Sequence, residues 1–65
     1  MKLDEIALLC MELEEKLRLA GVGEPISIDI VGGSGTPEIA RNLISHLQRR
    51  GLLSYLVDLV QAYRR

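Results

Sequence analysis

Residues 36–60 read TPEIARNLISHLQRRGLLSYLVDLV, and this stretch decides the fold. Its pattern is helix, glycine break, helix. Thr36 is placed to cap the first of these helices through its hydroxyl, and Pro37 follows where a missing N–H costs nothing. Glu38 faces the positive end of the helix dipole. Ile39, Ala40, Leu43, Ile44 and Leu47 recur at three-to-four-residue spacing and form one apolar face. Arg49 and Arg50 occupy the last turn, where positive charge is favoured, and Gly51 supplies the left-handed residue that ends a helix. A second helix begins at once, with Leu53, Leu56, Leu59, Val60 and Tyr63 on its apolar side. A break this short makes the two helices neighbours at a steep or antiparallel angle.

Upstream, Leu3–Ala20 reads as a long amphipathic helix. Its core stripe is Leu3, Ile6, Leu9, Cys10, Leu13, Leu17 and Ala20. Asp4 and Glu5 favour its start and Gly21 ends it. Glu12 with Lys16, and Glu14 with Arg18, stand in the favourable i,i+4 order. Leu8, Met11 and Leu19 fall off the stripe; Leu8 and Leu19 share nearly one azimuth, close to Glu12 and Glu15, which suits a partner face or a second packing surface.

Between the long helices, residues 21–35 hold five glycines and Pro25. Within them Ile26–Val31 alternates as a half-buried strand does. The chain offers no second strand to pair with it, and an unpaired strand leaves its backbone groups unsatisfied. The segment is therefore expected to be an irregular packed connector with a short helical turn. Ser27 would cap that turn, Ile28 and Val31 would share one side, and the four β-branched residues would plug the open end of the core.

Sixty-five residues make a single domain, spanning 1–65, with a thin stability margin. There is no Phe or Trp and there are two Tyr, so the core is aliphatic, which suits helix packing. The single cysteine, Cys10, reads as a small buried hydrophobe and fits a reducing, cytoplasmic setting. The apolar runs are too short to cross a bilayer, and the acidic start does not look like a signal peptide. Charge is unevenly placed. Residues 1–33 carry seven acidic side chains against three basic ones, and residues 34–65 carry five basic against two acidic. Such a chain suits head-to-tail contact between copies.

No residue set is arranged for catalysis. His46, the only histidine, reads as a surface or boundary residue, and with Cys10 it is too small a set for zinc. The serines lack a histidine–carboxylate partner set, and Glu14 and Glu15 point apart on a helix. Gly32–Thr36 has the glycines of a phosphate loop but lacks its lysine. The reading is a non-enzyme with no cofactor and no metal. The outer face formed by Arg41, Asn42, Ser45, Gln48 and Arg49 suits a nucleic-acid recognition helix, but the net charge of −1 and the acidic first helix do not.

At residues 40–53, ARNLISHLQRRGLL, the chain resembles the bacterial death-like domains, also called effector-associated domains, which carry A-R-x-L-[IV]-x-x-L-x-R-R-G-x-L before a short helix rich in Leu and Val. Leu3–Leu13 is similar to their first helix, and Val31–Gly35 to their glycine-containing entry. The first helix here is longer, and Ile26–Val31 is more strand-like. The resemblance implies an all-α, death-fold-like bundle of four to five helices. It implies an adaptor that joins proteins by homotypic association in bacterial defence and signalling, with itself or another death-like domain as partner, up to a filament. No small-molecule substrate, nucleic acid or membrane is expected. The expected contact sets Glu12 and Glu15 of one copy against Arg41, Arg49 and Arg50 of the next. The alternative is an unrelated helical docking or dimerisation module pairing through Leu8, Met11 and Leu19. A small nucleic-acid-binding helix-turn-helix domain ranks third.

Overall fold

A computed structural model describes residues 2–64 as four helices: α1 (Leu3–Leu19), α2 (Ile28–Val31), α3 (Thr36–Arg49) and α4 (Leu53–Tyr63). The described residues contain no strand, so the fold class is all-α. The radius of gyration is 11.0 Å, close to the roughly 11 Å expected for a packed chain of this length.

α1 carries the core stripe on Ile6, Leu9, Cys10, Leu13 and Leu17, all buried. The expected stripe overshoots at both ends. Leu3 is half exposed, and Ala20 is the exposed cap residue just beyond the helix. The reason is length. At about 1.5 Å per residue, 17 residues of α1 run about 26 Å, whereas the 11 of α4 run about 16 Å. The ends of α1 therefore have less to pack against. At the N-terminus, the Glu5 carboxylate accepts the Lys2 backbone N–H at 3.3 Å.

Both long helices that end in glycine end the same way. After α1, Gly21 N–H donates to the Arg18 carbonyl and Val22 N–H to the Leu17 carbonyl. After α3, Gly51 N–H donates to the Gln48 carbonyl and Leu52 N–H to the Leu47 carbonyl. This paired pattern satisfies carbonyls the helix would otherwise leave open, and it needs a residue at positive φ. Gly51 meets that need with φ of 69°. The residues after the glycines, Val22 and Leu52, turn back onto the core, in which Leu17 and Leu47 are fully buried.

The connector resolves as the single-turn reading requires. Ser27 caps α2, its hydroxyl accepting the Ile30 N–H at 3.3 Å. Ile26 is fully buried, and Ile28 and Val31 pack against the core. Ile30 does not join them and is half exposed. A helical turn sends residue 30 away from the side shared by 28 and 31, so only three of the four β-branched residues can plug the core.

Two local expectations on α3 are corrected. The cap residue is Gly35, with extended backbone and no side-chain capping bond, and Thr36 is already helical. The polar contact at this start comes instead from Ser34, whose hydroxyl donates to Glu38 Oε2 at 2.8 Å. Of the apolar face, Ile39, Leu43 and Leu47 are buried, whereas Ile44 is 44 % exposed. The face is narrower than the sequence suggests because α3 meets its neighbours along one row, i, i+4, i+8.

α4 buries Leu56 and packs Leu53, Tyr55, Leu59 and Val60 against the core, while Tyr63 stays 56 % exposed at its end. The last turn of α4 and the first half of α1 border one groove. The completed core is aliphatic apart from Cys10. Burial also pushes the Cys10 thiol above the ordinary thiol range, since the thiolate would be poorly solvated there.

Candidate interaction surface

The charged and apolar residues singled out in the sequence separate into those already engaged within the chain and those that are not. Arg50 is engaged. Its Nε forms an ion pair with Glu24 Oε1, and its Nη1 lies 3.3 Å from His46 Nδ1. Arginine has no acceptor, so a hydrogen bond between the two needs the lone pair of Nδ1. His46 Nε2 is 3.4 Å from Glu24 Oε1, close enough to feel the carboxylate but not aligned to donate to it. Glu24 and His46 are both mostly buried, at 24 % and 16 % side-chain exposure. The cluster ties the connector after α1 to the last turn of α3. Nothing local marks the Glu24 contacts in the sequence, because Glu24 lies 22 and 26 residues from His46 and Arg50.

Glu15 is engaged as well, with Arg18. Arg18 Nη2 donates to Glu15 Oε1 and Nε donates to Oε2 at 3.1 Å, a two-pronged pair. The bond from Arg18 holds the Glu15 carboxyl below the usual carboxylate range, and Glu15 in turn raises Arg18. The expected i,i+4 pairs, Glu12 with Lys16 and Glu14 with Arg18, do not form among the described residues; Arg18 reaches back three residues rather than four. Asn42 also leaves the outer face. Its Nδ2 donates to the Gly32 carbonyl at 3.0 Å, pinning the glycine connector to α3.

What remains is a sparse set. Arg41 and Arg49 are exposed on α3, and no acidic group among the described residues comes within ion-pair distance of either. Arg49 borders a polar hollow between α2 and α3, with Ser45 and the half-exposed Ile30 at its edge. On α1, Glu12 is half-buried, and its Oε2 is shielded from solvent with no hydrogen-bond partner. Leu8, Met11 and Leu19 are 53 %, 67 % and 75 % exposed. They form no part of the core, as their positions off the stripe imply.

Among the described residues no three potential metal ligands come together, and no helix is long and apolar enough to cross a membrane. No family model, characterised protein or solved structure matches the chain.

Proposed function

We propose that this chain is a non-catalytic adaptor domain of the death-like kind, which associates with copies of itself or with similar domains in bacterial defence or signalling proteins. The observation that carries the reading is the division of unpartnered charge between two helices. Arg41 and Arg49 stand exposed on α3 without an intrachain counter-ion, and the half-buried Glu12 on α1 has no cationic partner within ion-pair distance among the described residues. A contact that sets α1 of one copy against α3 of the next supplies what each lacks, and it repeats head to tail. Within it, Glu12 and Arg49 are the principal pair. Glu15 enters together with its Arg18, and Arg50 stays with Glu24 and supports the shape of the surface.

The test is reversal of Arg41 and Arg49 to Glu, read by light scattering on a sizing column at low and high salt. Association at low salt should weaken at least about tenfold, equivalent to about 1.4 kcal/mol, with the helical circular dichroism unchanged. Association that ignores both the reversal and the salt would refute the reading.

A second reading, an unrelated helical docking module, is favoured by the exposure of Leu8, Met11 and Leu19 on one helix. It predicts salt-insensitive association that is lost in Leu19→Ser and kept in the arginine reversals.

A further inference from the structure

The groove between α1 and α4 holds about 270 Å3 and is lined by none of Glu12, Arg41 and Arg49. One wall is Glu5, Leu8 and Leu9 from α1; the other is Val60, Tyr63 and Arg64 from α4. Leu8 and Tyr63 raise half of their surfaces to solvent on opposite walls, so an apolar trough opens between the two helices. Each wall also carries one charge, and the two have opposite signs.

We propose that this groove is a two-fold docking surface for a second copy of the chain, distinct from the head-to-tail contact. The rim charges identify the occupant. A two-fold axis over the groove brings Glu5 of each copy to Arg64 of the other, and lays each Leu8 against the opposite Tyr63. A partner carrying a single sign of charge would match one wall and repel the other. Neither rim charge has an ion-pair partner among the described residues; the Glu5 carboxylate accepts the uncharged Lys2 N–H. The six lining residues fall short of the roughly 20–30 per side of a standard interface, so the dimer is weak and depends on concentration. The contact closes at two copies. Combined with a head-to-tail contact it would cross-link strands of copies rather than lengthen them.

The experiment starts from the Arg41→Glu, Arg49→Glu protein, in which the charge-driven contact is absent, so the groove is read alone. Sedimentation velocity over a concentration series should show a monomer–dimer equilibrium that stops at two. Leu8→Lys and Arg64→Glu should each raise the dimer dissociation constant at least about tenfold with unchanged helical content. Glu5→Lys alone should do the same. Mixing the Glu5→Lys and Arg64→Glu proteins should restore the dimer, because the two reversed charges then face each other; that recovery also shows both variants are folded. A protein that stays monomeric at every concentration in the starting background would overturn the proposal. So would a dimer indifferent to Leu8→Lys and Arg64→Glu, or a mixture that fails to recover.

Discussion

Gly33 lies against the first turn of α3 so closely that a β-carbon built on it would fall 2.8 Å from Ile39 Cγ1 and 2.9 Å from the Ile39 amide nitrogen. Its φ of 134° is also one that other residues rarely adopt. Ile39 is buried and its backbone is fixed by α3, so neither atom can give way. Gly33→Ala should destabilise the domain by about 2–4 kcal/mol, combining overpacking with the strain of positive φ. Gly51→Ala has open space around it and should lose only the conformational part, about 1–2 kcal/mol. Urea unfolding of both variants checks the difference; equal losses would mean that the contact with Ile39 is unimportant.

The two neighbouring arginines at the end of α3 should behave differently. Arg50→Ala breaks the link to Glu24 and frees the connector, at a cost of up to about 1 kcal/mol because the pair is partly exposed. Its direct effect on self-association should be small. Arg49→Ala should leave the urea midpoint unchanged and weaken association. Urea unfolding and light scattering on the same two proteins decide it, and a reversed pattern would move the interface from Arg49 to Arg50.

Legibility in the sequence follows the range of the interaction. The three long helices, both glycine stops and the Ser27 cap were readable because each depends on residues within one or two turns. The alternation of Ile26–Val31 misleads locally, and only the absence of a pairing partner corrects it. The surface was less legible. The contacts of Glu24 with His46 and Arg50 and the Asn42–Gly32 bond join residues 10 to 26 positions apart, and no periodic pattern announces them. They remove Arg50 and Asn42 from the unengaged surface, although spacing alone places both with Arg41 and Arg49. The groove at Tyr63 was hidden for a related reason: its two walls, Glu5, Leu8 and Leu9 on one side and Val60, Tyr63 and Arg64 on the other, lie more than 50 positions apart.

Position on α1 should sort leucines into two classes. Leu17 is wholly buried and Leu19 is 75 % exposed, two residues along the same helix. Leu17→Ala should cost about 2–5 kcal/mol, a large part of the roughly 3–10 kcal/mol available to a domain of this length. Leu19→Ser should change stability by less than about 0.5 kcal/mol. Thermal denaturation of the pair suffices, and a marked loss at Leu19 would mean that this residue packs in the folded chain.

Cys10 gives a pH-dependent signature. The folded state holds the thiol proton above the ordinary thiol range, while the unfolded chain releases it near about pH 8.5. The stability this group contributes is therefore intact below that pH and is lost as pH rises toward the raised folded value. The gap in melting temperature between the wild type and Cys10→Ala should narrow from pH 7.5 to pH 10. A constant gap would show that the thiol is not shielded.

The aliphatic core leaves the molecule with an unusual optical blind spot. With no tryptophan in the chain, its intrinsic fluorescence comes from Tyr55 and Tyr63, and both sit on α4, one packed against the core and one at the rim of the groove. Light emitted by this protein therefore reports the seating of α4 and little else. Far-ultraviolet dichroism, by contrast, is weighted toward α1 and α3, which hold most of the helical residues. Coincident unfolding curves from the two signals would establish that the fourth helix leaves together with the rest. A fluorescence transition that comes first would identify α4 as a separately detachable flap, and the groove as the seam along which it opens.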